Sequence, residues 1–287
     1  MKTTLVIGLL SALAASALFN LGAALQALDA RAAPKALGLR VTLLWRLFHH
    51  PRWILGFALG LIGVGPQLLA YADAPFVIAQ PALASGLLLL LVIGKRLLGE
   101  RVGLFESIGV LGIIGGVALV AWGAPGHVEA HRGGIVVIAV VTGISILGLY
   151  PFALRGTRWD GAVSMIVASG CGFAATNIAT KLVGDDIGSH FSKAVIWAAV
   201  GVAMGVAATI TGMTAFQRSP ATTVVPVSTA VQTFLPIVVE PLFLREHWGS
   251  AIFDGAPLIA GLVLALLGCV LISRTRAVSQ LLADANG

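Results

Sequence analysis

The chain has 287 residues, of which 58% are hydrophobic and only 10% carry a charge. Soluble domains carry a charge on about a quarter of their residues, so this composition excludes a soluble protein and predicts an all-α polytopic membrane protein. The formal net charge is +6, but the basic residues are not gathered into one patch, which argues against nucleic acid as a partner.

Nine apolar windows follow one another along the chain, each of about 20 residues and long enough to cross the hydrocarbon core as a helix. In chain order they are 3–27, 53–72, 74–94, 102–122, 135–153, 161–183, 194–215, 221–244 and 251–273. The connectors between them are short. Any function must therefore reside within the helix bundle or at its two mouths.

The N-terminal region allows two other interpretations. Its first apolar run follows one lysine and is rich in small residues, as in a cleavable signal peptide. Residues 36–50 would make a tenth span, although Arg40 and Arg46 would then lie in hydrocarbon at a cost of about 2.5 kcal/mol each. The preferred interpretation makes 28–52 an amphipathic segment on the inner surface, with three aromatic residues at the interface. These residues are Trp45, Phe48 and Trp53.

The basic residues are distributed as the topology of a membrane protein requires. With nine spans and a cytoplasmic C-terminus, 13 of the 18 lysines and arginines lie inside and five lie outside. Lysine and arginine concentrate on the cytoplasmic side of membrane proteins. The sequence therefore predicts a multi-pass protein of the cell membrane with its N-terminus outside, and membrane lipids as partners of its basic inner surface.

One stretch of the chain is repeated 145 residues later. Ala70 to Ser85 reads AYADAPFVIAQPALAS and Ala215 to Ala230 reads AFQRSPATTVVPVSTA, each with two prolines six residues apart. The same register aligns Gly56-x-x-x-Gly60 with Gly201-x-x-x-Gly205. Five crossings separate matching spans, so the two copies must face opposite ways across the membrane.

The repeat predicts two inverted four-helix units joined by one helix. Residues 1–122 form the first repeat, 135–153 the linking helix, 161–273 the second repeat and 274–287 a cytoplasmic tail. Inverted repeats are a common plan of secondary transporters, because two similar halves that rock about a central site expose it to each side in turn.

These units resemble the EamA-like drug/metabolite transporter superfamily. The likeness is carried by AYADAP, by KRLLGER around Glu100 and by the glycine-rich helix ESIGVLGIIGGVALVAW. The layout is most similar to the NIPA-type branch, through HHPRWILG, TTVVPV and REHW, and that resemblance implies magnesium transport. The unit also resembles the small multidrug resistance proteins, which carry a glutamate in their first helix. Neither SALAASALFNLGAALQA nor GCGFAATNIA contains an acid, which argues against proton-for-cation exchange by that mechanism.

Polar residues within the predicted spans are the candidates for a substrate cavity, because polar groups are expensive in hydrocarbon. They fall on two pairs of spans that the repeat relates, the first with the sixth and the third with the eighth. The predicted cavity residues are Asn20, Gln80, Pro81, Asn177, Lys181, Pro226, Ser228 and Gln232. Pro81 and Pro226 belong to the set because each frees a backbone carbonyl and bends its helix. The competing interpretation is hydrogen bonding between helices without a role in transport.

The outer side carries a second candidate. Lys181 and Glu240 lie near the outer ends of the sixth and eighth spans and are predicted to pair as an outer gate; alternatively, each reaches out to water or headgroups. The outer loops combine histidines with carboxylates but supply no complete ligand set, so no metal site is assigned.

These patterns predict a secondary transporter or facilitator that moves a small solute. One alternative is a NIPA-like transporter of magnesium or another divalent cation. Another is a non-transporting partner subunit or a carrier of lipid headgroups. No phosphate-binding loop, nucleophile motif or catalytic carboxylate cluster occurs in the sequence, so neither an enzyme nor a cofactor is expected. The oligomeric state, monomer or homodimer, is left open.

Overall fold

The structure is a computed structural model that describes residues 2–74, 76–123, 134–157, 161–186, 188, 190–244 and 255–284. The side chains of 2–3, 76–78, 134, 181, 184–185, 237–244 and 273–284 lie outside this description. Every secondary-structure element in these ranges is helical. The α-helices are α1 (Lys2–Ala32), α2 (Val41–Leu47), α3 (Pro51–Asp73), α4 (Phe76–Ala84), α5 (Gly86–Arg96), α6 (Leu104–Gly123), α7 (Gly134–Ala153), α8 (Ala162–Asp186), α9 (Phe191–Arg218), α10 (Ala221–Leu244) and α11 (Ala256–Asp284).

Seven helical segments among the described residues are long and apolar enough to cross a membrane. They are α1, α3, a segment that runs through α4 into α5, α6, α7, α8 and α9. Side chains such as Leu10, Leu61 and Val202 remain largely exposed, as expected of faces that contact lipid. The chain is an all-α, multi-pass membrane protein. The last two predicted spans coincide with α10 and α11, and the described apolar part of α11, Ala256–Ile272, is shorter.

The most extensive contacts between helices lie in three pairs: α1 with α3, α8 with α9, and α6 with α11. Helices α4 and α5 pack on α1, and α10 packs on α8. The α1–α3 pair is antiparallel, because Gly8 lies against Ala74 whereas Gly22 lies against Gly56. Neighbouring helices of this kind bury their small residues against each other, as is usual inside membranes.

The α1–α3 and α8–α9 pairs share one packing arrangement. A Cβ added at Gly22 of α1 would lie 2.5 Å from the Gly56 carbonyl oxygen and 3.4 Å from the Gly60 nitrogen. In the other pair, the Thr176 hydroxyl of α8 donates to the Gly201 carbonyl at 3.3 Å and lies near Gly205. In both pairs, a small residue of the first helix therefore sits on a Gly-x-x-x-Gly pair of the second.

The α6–α11 pair is built around two glycines. A Cβ added at Gly116 would lie 2.6 Å from the Gly261 carbonyl oxygen, and one added at Gly261 would lie 2.6 Å from the Gly116 carbonyl oxygen. On either side of this reciprocal contact, Ile113 meets Gly268 and Leu258 meets Gly123. As the residue number rises along α6, that of its partner on α11 falls. The two helices are therefore antiparallel.

Three connectors meet at one end of the bundle, which we call the charged end and define by Arg31, Glu100 and Thr222. The Gln217 side chain donates to the Ala33 and Pro34 carbonyls, both at 3.3 Å. The Leu39 N–H donates to the Thr214 hydroxyl at 3.0 Å. These contacts fasten the α1–α2 connector to the end of α9.

Helix α2 does not form a tenth span. It has seven residues, which rise about 10 Å along a helix axis, a third of the hydrocarbon thickness. It buries Leu43, Leu44 and Leu47 against the bundle, whereas Trp45 is exposed. This amphipathic arrangement is the one predicted for a segment on the membrane surface.

Trp53 is predicted to lie at the membrane interface, but its side chain packs inside the protein. Its side chain is fully buried, and its indole N–H points at the Met213 sulfur at 3.3 Å. Phe57 stacks on one face of the indole with ring centroids 5.5 Å apart, and Phe48 meets it edge-on. A tryptophan near a membrane boundary satisfies its N–H either at the headgroups or inside the protein, and here a sulfur on α9 takes that role.

Candidate functional site

The third predicted span has one irregular residue within its length. Helix α4 ends at Ala84 and α5 begins at Gly86, three and five residues after Pro81. Ser85 alone lies between them and keeps helical dihedral angles (φ −60°, ψ −22°). Its N–H donates to the Pro81 carbonyl at 2.9 Å and its hydroxyl to the Ala82 carbonyl at 2.6 Å, so the break is a one-residue irregularity. Pro81 has no N–H to continue the helical ladder. The bend predicted at Pro81 is thus a break one turn later. Irregular positions in membrane helices often line transport sites, because carbonyl groups freed from the helical ladder are open to polar partners.

Helix α1 presents two polar side chains to this break. The Ser16 hydroxyl donates to the Leu83 carbonyl, and Asn20 lies one turn further along α1. The contact is tight at Gly86, where an added Cβ would overlap the Ser16 hydroxyl and lie 2.6 Å from the Asn20 amide nitrogen. The first and third predicted spans therefore meet at Asn20.

Asn20 has one hydrogen-bonding atom without a partner. Its Nδ2 donates to the Ser16 carbonyl at 2.8 Å, which fixes the orientation of the amide because a carbonyl only accepts. The Oδ1 atom is buried and accepts no hydrogen bond from the described part of the chain. A buried polar atom without a partner is costly. Asn20 is therefore a candidate contact for a solute with a donor group or a positive charge.

The remaining predicted cavity residues occupy different environments. Gln80, Pro81 and Gln232 are half-buried, Pro226 and Ser228 are buried, and Asn177 is exposed. Gly170 of α8 packs on α10, where an added Cβ would lie 2.9 Å from the Ser228 carbonyl oxygen. Helix α10 runs through Pro226 without a break, unlike α4 and α5. The structure thus joins Asn20 to the α4–α5 break and α8 to Ser228, and it leaves Asn177 off both contacts.

The predicted outer gate cannot be placed. The side chains of Lys181 and Glu240 lie outside the described residues, as do the histidines of 127–131 and residues 246 and 247. Of the outer polar groups that are described, Asp186 and His190 lie 3.9 Å apart and half-exposed. Within the described part of the chain, no three acidic, histidine or cysteine side chains gather as a metal site would require.

The strongest polar cluster lies at the charged end and centres on Glu100. Its Oε1 accepts hydrogen bonds from Arg31 Nη2 and, at 2.7 Å, from the Ala221 N–H. Its Oε2 accepts from the Thr222 hydroxyl and, at 3.0 Å, from the Thr222 N–H. The Glu100 carboxylate thereby caps the first turn of α10, where unpaired backbone N–H groups favour a negative charge.

The environment of Glu100 favours its charged form. Burial raises the pKa of this carboxyl, but hydrogen bonds from Thr222 and Arg31, together with the charge of Arg31, lower it below the ordinary value of 4.5. The Glu100 side chain is 2% exposed and that of Arg31 is 26% exposed. The cluster is therefore a partly desolvated ion pair held by main-chain donors, unlike an exposed surface pair.

The lowered pKa predicts how Glu100 contributes to stability as pH changes. Because the folded-state pKa is below 4.5, the contribution of Glu100 is complete above that value and is lost as pH falls below it. We expect thermal unfolding in detergent to show a constant difference between the wild type and Glu100→Gln from about pH 6 to pH 8, narrowing toward about pH 3. A difference that instead narrowed above about pH 6 would contradict this assignment.

Asp29, near the end of α1, is a functional candidate that the sequence did not reveal. The predicted first span ends at residue 27, whereas α1 continues to Ala32 and includes Asp29. Asp29 is buried, and its Oδ2 has no hydrogen-bond partner within the described chain. The first helix therefore does carry an acid, near its charged end rather than at mid-membrane. Arg31, in the same turn, explains the extension because its partner Glu100 holds that turn against the bundle.

Comparisons with known proteins found no match. No family model, curated protein or solved structure matches the chain.

Proposed function

We propose that this protein is a secondary transporter of the drug/metabolite transporter type, which moves a small solute by alternating access between two inverted repeats. The proposal goes beyond the membrane fold and is carried by one observation: helix contacts recur in a constant register. Residues 145 apart in sequence make equivalent contacts, and so do residues 154 apart in α1 and α8.

The constant register is seen in three places. Gly22 meets Gly56 and Gly60 of α3, while Thr176, 154 residues later, meets Gly201 and Gly205, each 145 residues later. Ser16 meets Gly86, whereas Gly170 meets Val231, with the same two separations. On α6 and α11, the Ile113–Gly268 contact is matched by the contact between Leu258 and Gly123. Accidental similarity of apolar sequence does not reproduce contacts in this way.

The α6–α11 pair supports the inverted orientation. Gly116 and Gly261 are themselves 145 residues apart and touch each other reciprocally. Two equivalent helices that run antiparallel through one shared contact are what a two-fold axis in the membrane plane produces. The nine-residue difference between the two separations falls in the connector that contains α2, so we infer that α2 belongs to an insertion in the first repeat.

The break between α4 and α5 is the proposed substrate position. The hydroxyl groups of Ser16 and Ser85 donate within the protein, and Asn20 Nδ2 donates one of its two N–H groups to Ser16, whereas Asn20 Oδ1 has no donor among the described residues. A solute that donates hydrogen bonds or carries a positive charge fits this pattern better than an anion. Magnesium is a second candidate, favoured by the same observation, because the unpartnered atom is an oxygen and Mg²⁺ prefers oxygen ligands.

Flux through the purified protein tests the proposal. The protein is reconstituted in liposomes and offered Mg²⁺, small amines and neutral metabolites, with and without a proton gradient. Saturable uptake above that of empty liposomes supports transport, and uptake of Mg²⁺ alone selects the cation alternative. Absence of flux for every solute, with correctly folded protein in the bilayer, would favour a partner subunit instead.

Substitution of Asn20 is expected to separate a binding role from a packing role. Asn20→Ala should reduce the initial uptake rate by about tenfold or more, the effect of removing one buried hydrogen-bond partner from a solute. Gln67→Ala is the matched control, because Gln67 is an amide on α3 whose Nε2 donates to the Tyr71 hydroxyl at 3.3 Å, one turn along the same helix. Equal rates for the wild type and Asn20→Ala, measured on the transported solute, would remove Asn20 from the site.

A further inference from the structure

We propose that Glu100 is a latch that holds the charged end of the transporter closed, by joining the two repeats through α1 and α10. This inference rests on the proposed alternating access and adds a gate to it. It is drawn from the side chains that meet at Glu100, none of which belongs to the cavity set of the sequence analysis.

The latch connects three elements that are distant in sequence. Glu100 lies in the connector between α5 and α6, Arg31 near the end of α1, and Ala221 and Thr222 in the first turn of α10. The first two elements belong to the first proposed repeat and α10 belongs to the second. A motion that separates α10 from both α1 and the α5–α6 connector at this end must therefore remove the carboxylate from its α10 donors.

The contact is closed in this structure. Gly94 of α5 lies so near Thr222 that an added Cβ would overlap the threonine methyl group, and it would lie 3.1 Å from Glu100 Oε2. Glu100, Thr222 and Ala221 are all buried. No gap for a solute remains between α5 and the start of α10, so passage on this side requires the latch to open.

Opening the latch exposes donors that water can satisfy. The Ala221 and Thr222 N–H groups lose the carboxylate but gain access to solvent, as does Arg31. Charge-assisted hydrogen bonds to main-chain N–H groups are stronger than neutral ones, yet this exchange with water keeps the net cost moderate. A contact of that kind stabilises one conformation without trapping it, as alternating access requires.

The experiment measures access to each end separately. In a background with Cys171 and Cys269 replaced by alanine, Val224→Cys reports on the charged end, because Val224 is 2% exposed and lies on α10 within the core beside α1. Ala12→Cys, fully buried toward the opposite end of α1, reports on the other side. Each is labelled with a membrane-impermeant maleimide applied from its own side of reconstituted vesicles.

Thr222→Val and Thr223→Val form a matched pair for the latch. Both threonines are buried in the first turn of α10. The Thr222 hydroxyl donates to Glu100, whereas the Thr223 hydroxyl has no hydrogen-bond partner among the described residues. We expect Glu100→Gln and Thr222→Val to raise the labelling rate at Val224→Cys by about tenfold, the effect of weakening one charge-assisted hydrogen bond. Thr223→Val should leave it unchanged. Glu106→Gln is a second control, because the Glu106 carboxylate accepts a local hydrogen bond from the Gly103 N–H, at 2.9 Å.

The two reporters distinguish the latch from the proposed function. Faster labelling at residue 224 with slower labelling at residue 12 supports both the latch and alternating access. Faster labelling at residue 224 with no change at residue 12 supports the latch but contradicts alternating access. Unchanged labelling at residue 224, or equal increases at both ends, overturns the latch, since it then acts only as a structural cap. If Glu100→Gln fails to fold, Thr222→Val decides alone.

Discussion

Alanine at Gly116 or Gly261 is expected to lower the stability of the folded protein by weakening the α6–α11 pair. Each added Cβ would lie 2.6 Å from a backbone carbonyl oxygen of the other helix. Backbone atoms cannot move aside as a flexible side chain does, so the helices must separate. Overpacking of this kind costs about 1–3 kcal/mol. Thermal unfolding in detergent measures the loss.

Gly115→Ala and Gly143→Ala provide matched controls on membrane helices. A Cβ at Gly115 meets only the mobile end of Leu264 at 3.2 Å, and one at Gly143 meets nothing within 4 Å. Because alanine favours helix formation over glycine by about 1 kcal/mol, both controls should be neutral or slightly stabilised. The repeat further predicts equal losses at Gly116 and Gly261. Losses that differ widely between the two glycines would count against their equivalence.

The second large effect is expected from Gly86→Ala, which should strongly reduce transport. The new methyl group would occupy the position of the Ser16 hydroxyl, which is held in place by its hydrogen bond to the Leu83 carbonyl. Helix α1 would be driven away from the α4–α5 break, and Asn20 with it. A displacement of about 1 Å at a binding site reduces rates by about a hundredfold. Uptake of the identified solute into liposomes measures the effect.

Ser16→Gly is the expected suppressor of Gly86→Ala. It removes the hydroxyl and the Cβ that the new methyl group would overlap, and only the movable Asn20 amide remains close. The double variant should recover most of the uptake lost in Gly86→Ala, and a double-mutant cycle on the uptake rate gives the coupling between the two positions. Additive losses in the double variant would show that Gly86 and Ser16 do not share this contact.

The order of the long apolar helices could be predicted from the sequence, because hydrocarbon thickness fixes the length of an apolar run. Seven of the nine predicted spans are confirmed in length and composition. Helix ends were predicted less well. The first span was ended at residue 27 because charged residues follow, but Asp29 and Arg31 remain in α1, and the partner of Arg31 is 69 residues away.

The candidate site could be predicted only in part. Polarity within a predicted span identified Asn20, and Pro81 identified the helix that becomes irregular. Glu100 appeared in the sequence only as part of a short charged connector. Its role depends on donors 121 and 122 residues later in the chain, and no local pattern reveals such a pairing. The buried position of Trp53 was missed for the same reason, since Met213 lies on α9.

The reciprocal contact between Gly116 and Gly261 has a consequence for how the halves would move. Glycine has no side chain, so two helices that touch through glycines can roll on each other without reordering rotamers. Elsewhere in a packed core, such a motion passes over barriers set by interlocked side chains. At this one contact, the α6–α11 pair can therefore change its angle without moving a side chain, whereas Ile113 and Leu258 on either side pack in the same core and limit how far the angle can change.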